Sequence, residues 1–131
     1  MGKASRDKGK RGEREAAQAL NDLLGCNARR GIQFCGGEDS PDVKHELDGV
    51  HFEVKRAERL DLWSALSQAI EDAGPDQAPV VMHRPNRKPW LLVLRLEDLP
   101  RLVQSVSNHM VDIADIHTTT YIESEEYDAG L

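Results

Sequence analysis

The sequence predicts an α/β fold in which a mixed central β-sheet is flanked by helices. Three observations carry this. Apolar residues at helical spacing open the chain, at Ala16, Ala17, Leu20, Leu23 and Leu24. Strict alternation follows in the middle, where Val50, Phe52 and Val54 interleave with His51, Glu53 and Lys55. A second helical stretch then separates that strand from two further apolar runs, the interleaving expected of a layered α/β domain. A length of 131 residues suits one compact domain.

Taken in order, residues 1–9 read as a basic, flexible N-terminus, with the first eight frayed. A helix is predicted from Lys10 to Leu24. Arg14, Gln18 and Asp22 lie opposite its apolar stripe, and Gly25 is its C-cap. Carrying the stripe one turn back reaches Glu13, which therefore points toward the core side. Asn27 to Phe34 reads as a strand, and Gly36 to Pro41 as a loop. Asp42 to Glu46 is a short strand, and Leu47-Asp48-Gly49 a turn whose Asp-Gly pair is a strong hairpin signal. The strand Val50 to Arg56 should then pair with Asp42 to Glu46 as a hairpin.

Asp61 is the expected N-cap of a helix from Leu62 to Ala73, with Trp63, Leu66 and Ile70 as its inner stripe and Gly74-Pro75 as its end. Pro79 to His83 is a strand. Trp90 to Leu96 is continuously apolar and reads as a buried one. Leu99, Leu102, Val103 and Val106 suit a last helix. The folded domain is expected over 10–107, followed by an acidic extension over 108–131. In that extension Thr118 to Ile122 is a candidate strand, and Glu123 onward reads as a disordered tail.

Composition narrows the function. No apolar run approaches the ~20 residues that span a bilayer, and the basic N-terminus lacks the apolar segment of a secretory signal. Cys26 and Cys35 are too few for a disulfide framework and read as reduced thiols. A cytoplasmic protein, of a bacterium or a phage-infected host cell, is the expectation. The net charge of −6 is unevenly spread. Residues 1–34 hold eight Lys/Arg against four Asp/Glu, whereas 97–131 hold one Arg against eight acids. A basic head of this kind suits a nucleic-acid groove on one side, or simply a solvated face.

The chemistry lies between Asp42 and Lys55. Glu53 and Lys55 share one strand face, and the expected hairpin brings Asp42 toward Glu53. Glu13 arrives from the first helix. Hard divalent cations take carboxylate oxygens and water. They polarise phosphoryl oxygens and acidify bound water, while a lysine stabilises developing negative charge. Clustered carboxylates imply a counter-charge. Each piece alone is ordinary: ExK is common on solvent-facing strands, Pro-Asp in turns, and a glutamate near a helix start. Their joint spacing is what points to a site.

That joint pattern, Pro41-Asp42 followed by Glu53-Val54-Lys55, resembles the PD-(D/E)xK nuclease superfamily. Within it, Lys8-Gly9-Lys10-Arg11-Gly12-Glu13-Arg14-Glu15 is similar to the KGxxxERE-like opening helix of archaeal-type Holliday junction resolvases and their phage relatives. The resemblance covers residues 8 to 107 and implies a restriction-endonuclease-like core. It implies Glu13, Asp42 and Glu53 as metal ligands, joined by the Val54 carbonyl, for Mg2+ with Mn2+ as substitute. Lys55 takes the place of the motif lysine. Gln68 is the candidate for the polar residue that many relatives carry on the following helix; its alternative is a solvent-facing residue. Ser40 stands directly before Pro41, closer than the family's hydroxyl residue. Lys8, Lys10, Arg11, Arg14, Arg29, Arg30, Arg56 and Arg59 are the candidates for DNA phosphates. Trp63 and Trp90 lie on apolar stripes and read as core rather than base-stacking residues, and His51 shares the face of Glu53.

The function implied is Holliday junction resolution by a homodimer cutting four-way DNA. The alternatives are a phage replication-repair or restriction-like nuclease acting on flaps, nicks or duplex, and a non-catalytic nucleic-acid-binding module.

Overall fold

A computed structural model describes residues 3–31 and 42–111. The first helix, α1, spans Lys3–Leu24 and so starts seven residues before the predicted Lys10. The apolar stripe marks only the buried part of a helix. The Lys/Arg-rich turns ahead of it have good helix propensity but no period to reveal them. Ala16, Ala17 and Leu20 are buried as the stripe requires, while Leu23, counted in the stripe, is exposed. Gly25 ends the helix at φ +61°, donating its N–H to the Asn21 carbonyl at 2.9 Å.

Strand β1, Arg29–Arg30, pairs antiparallel with β2, Val43–Lys44. Strand β3, Val50–Arg56, has the predicted bounds. It runs parallel to β4, Ala78–Arg84, which in turn pairs antiparallel with β5, Leu91–Val93, so the sheet is mixed with β4 in its centre. Helix α2, Leu62–Asp72, makes the crossover between β3 and β4; its N-cap Asp61 accepts the Ser64 N–H as expected. A helical turn, Leu96–Asp98, leads into α3 over 99–111.

The two faces of the sheet are built differently. Val50, Phe52, Val80 and Met82 meet Ala16, Ala17 and Leu20 of α1, with Leu102 and Val106 of α3 packed alongside. On the other face, Ala65, Leu66 and Ala69 of α2 lie on Val81. Gly12 shows how tightly α1 sits: a Cβ there would meet the Arg56 Cβ at 2.5 Å. No residue larger than glycine fits without displacing the helix from β3.

Three expectations need correction. The Asp48-Gly49 turn forms, with Gly49 at φ +86°, but β2 and β3 do not pair as a hairpin; β2 ladders with β1 instead. The intervening chain is drawn aside. His45 Nδ1 accepts the Leu47 N–H at 3.0 Å, and the Glu46 N–H goes to the Cys26 carbonyl at 2.9 Å. Trp90 to Leu96 is not a buried strand. Its β5 portion lies at the sheet edge, with Leu91 54% and Leu92 48% exposed. Trp63 is not core, being 74% exposed. The small Ala65 and Ala69 form the buried stripe of α2 beside Leu66, so the helix approaches the sheet closely and leaves no room there for an indole. Trp90 does pack, in part, against the α1-side core. The predicted strand at Thr118 to Ile122, the acidic tail, Cys35, Ser40 and Pro41 lie outside the described residues.

Candidate active site

The site forms along β3, where alternation sends His51, Glu53 and Lys55 to the side covered by α2. Its organising contact is unusual for a strand. The Val54 N–H, which a hairpin would have given to a β2 carbonyl, donates to Asp42 Oδ2 at 2.9 Å. A side chain thus replaces a ladder bond and holds the Asp42 carboxyl at the edge of β3. Glu53 is 3% exposed. Its Oε1 lies 3.5 Å from Lys55 Nζ, and Lys55 Nζ donates to Gln68 Oε1 of α2 at 3.0 Å. Gln68 is therefore turned to the lysine although it lies on an exposed part of α2.

Glu13 is half-buried and accepts from Arg30 Nε at 2.8 Å. Burial raises its pKa against the opposing pull of Arg30, and the charge of Glu53 adds to the rise. Asp42 is perturbed more strongly. Burial, then the charge of Glu53, push it up to about 7, against the Val54 N–H bond, which favours the carboxylate; Glu13 adds a smaller rise. The nearness of the Glu53 side chain adds a further small rise. Three acids from α1, the start of β2 and β3 thus sense one another electrostatically. A proton or a cation must offset their charge, which suits the oxygen donors that divalent metals take.

The predicted phosphate ligands divide into two groups. Lys10, Arg11 and Arg14 are exposed on α1, Lys8 is half-exposed there, and Arg29 and Arg59 are exposed on β1 and after β3. Arg30 and Arg56 are instead held by acids. Arg56 Nε donates to Glu15 Oε1 at 3.1 Å, and Arg84 Nη1 reaches the same oxygen at 2.9 Å. Glu15 was not singled out in the sequence, yet it ties α1 to both β3 and β4. Its position two residues from Glu13 in the same motif was the available signal.

The sequence places His51 near the site but not Asp72. His51 was placed on the Glu53 face, but nothing revealed that it is 6% exposed. Asp72, at the end of α2, comes within 4.8 Å of both His51 and Glu53, measured between potential ligand atoms. Its spacing of four from Gln68 was a legible sign that both face the same strand.

An acid-rich strand edge with an adjacent ammonium is suited to binding a divalent cation and a phosphate together. No curated protein and no solved structure matches the chain. A protein family does match it, over residues 4–129, described as "Phage putative PDDEXK endonuclease". With sequence motif, mixed-sheet architecture and a match over nearly the whole chain in agreement, the chain belongs to this family of PD-(D/E)xK endonucleases.

Proposed function

We propose that the protein is a magnesium-dependent Holliday junction resolvase, a structure-specific endodeoxyribonuclease that hydrolyses phosphodiesters in four-way DNA. The observation that carries the cation requirement is the burial of Asp42 beside Glu53: burial first, and then the charge of Glu53, push the Asp42 carboxyl up to about 7. Glu13, Asp42, Glu53 and the Val54 carbonyl are the ligands in this reading, with Mn2+ able to replace Mg2+. When bound, the ion polarises a phosphoryl oxygen and acidifies a water.

The chain's own groups have separable roles. Glu53 and Gln68 hold the Lys55 ammonium at 3.5 and 3.0 Å, limiting its rotamers so that it meets a phosphate in one orientation. Lys8, Lys10, Arg11, Arg14, Arg29 and Arg59 carry DNA phosphates in this reading. Arg30 and Arg56 keep their acidic partners in place. Junction preference is supported by the resemblance of the Lys8–Glu15 stretch to the resolvases' opening helix. One chain provides one site, so paired incisions require a homodimer. The β5 edge, unpaired among the described residues, and its exposed Leu91 and Leu92 are the candidate surface for such pairing in this reading. No described helix is long and apolar enough to cross a membrane.

Cleavage of a synthetic four-way junction, a flap, a nicked duplex and a linear duplex, with and without Mg2+, tests this reading. Symmetric junction cuts by a species of twice 14.6 kDa are expected. A monomer cutting all substrates equally refutes resolution and favours a flap or duplex nuclease. Mg2+-independent cleavage refutes the metal assignment.

A further inference from the structure

We propose that His51, Glu53 and Asp72 form a second divalent-cation site, separate from the Asp42 side and suited to a metal that accepts nitrogen as well as oxygen. The potential ligand atoms of the three residues lie within 4.8 Å of one another. Ligands on opposite sides of one ion bound at ~2.1 Å stand about 4.2 Å apart. The observed span therefore needs a small rotation, which the exposed Asp72 is free to make.

The independent observation is His51 itself. The residue is 6% exposed, and its Nε2 is buried with no hydrogen-bond partner among the described residues. A buried ring nitrogen left unpaired forfeits its hydration with nothing in return, so such an atom calls for an explanation. Glu53 Oε2 is 3.7 Å away, too far for a hydrogen bond, yet at the spacing of two ligands on one ion. A cation between them would satisfy both atoms.

The local architecture explains why the site is there. Gln68 and Asp72 stand one turn apart on α2, which runs back along β3 as it makes the crossover to β4. Gln68 meets Lys55 and Asp72 meets His51, so the helix matches the strand in reverse order. Glu53 lies between, with Oε1 toward Lys55 and Oε2 toward His51. The two oxygens of one carboxylate thus have different neighbours, which leaves Oε2 available to the histidine site. Because a histidine ligand favours Mn2+, Co2+ or Zn2+ over Mg2+, the two sites differ in preference.

The test is a titration of the full chain with Mn2+, counting bound ions from the loss of the free-ion paramagnetic resonance signal. The wild type should bind two ions. Glu53→Gln should bind neither tightly, Asp42→Asn should keep the histidine site, and His51→Gln and Asp72→Asn should each weaken one ion by about tenfold or more. Loading with Co2+ should give a shifted imidazole N–H proton resonance that His51→Gln abolishes. Wild-type stoichiometry and affinity in His51→Gln overturn the proposal while leaving the Asp42 site standing. Should His51→Gln fail to fold, the exposed Asp72→Asn decides: undiminished binding of both ions overturns the site. Loss of one ion in the His51 and Asp72 variants, with none lost in Asp42→Asn, supports this site and overturns the catalytic metal assignment instead.

Discussion

Replacing Asp42 by asparagine should make the metal-free protein more stable at alkaline pH. Asp42 titrates near its ordinary value of 3.8 in the unfolded chain and at about 7 in the fold. A carboxyl raised on folding favours the native state most at low pH, and that contribution is lost as pH rises through the folded value. The window is therefore pH 4 to 7. At ~1.4 kcal/mol per pH unit, the interval corresponds to at most roughly 4 kcal/mol for Asp42. Asparagine keeps an oxygen to accept the Val54 N–H but carries no charge to bury. Urea denaturation in EDTA, followed by tryptophan fluorescence with the partly buried Trp90 as reporter, should show the wild type losing stability from pH 4.5 to 8 relative to Asp42→Asn. The variant should be the more stable protein at pH 8. Adding Mg2+ or Mn2+ at pH 8 should restore the wild type and do little at pH 5, where protons compete for the carboxyls. Parallel pH profiles for the two proteins would show that Asp42 is not a buried, charge-stressed acid and would remove the physical basis of the metal site.

Other outcomes follow from single contacts. Gly12→Ala should destabilise by ~1–3 kcal/mol through its clash with Arg56, whereas Gly9→Ala, with open space around its Cβ position, should stabilise by up to ~1 kcal/mol; equal effects in urea melts would contradict the close packing of α1 on β3. Lys55→Met should slow junction cleavage by roughly 10²-fold or more with DNA affinity little changed, and Gln68→Ala should slow it less, in single-turnover assays. Glu15→Gln should cost about 1–2 kcal/mol, a value already reduced for its partial exposure, because Arg56 and Arg84 lose a shared partner. Its failure to alter stability would mean that the two arginines find other partners.

The sequence was most informative where period and local chemistry agree. Val50–Arg56 was legible to the residue because its alternation is uninterrupted, and Leu62 because Asp61 supplies a cap. Glu13, Asp42, Glu53 and Lys55 could be listed together from motif spacing. Their connections could not. That Asp42 would bond the Val54 N–H in place of a hairpin ladder depends on where His45 and Glu46 draw the chain, a tertiary matter. Apolarity misled at Trp63 and Leu91, since hydrophobic residues also occupy surfaces and a run of them does not say which side of a sheet is covered. Asp72 and His51 were invisible as a pair because 21 residues and a crossover separate them.

The bond from Val54 to Asp42 also bears on solubility. A strand at the margin of a sheet presents free N–H groups that can template pairing with another chain, and β3 is such a margin in its three-stranded sheet. Asp42 occupies one of these groups with a charged side chain, acting as a plug against edge-to-edge association. Alanine at position 42 would leave the Val54 N–H open as well as removing a carboxylate, and should promote self-association that asparagine does not. An Asp42→Ala protein that precipitates would be reporting the loss of the plug rather than of any metal.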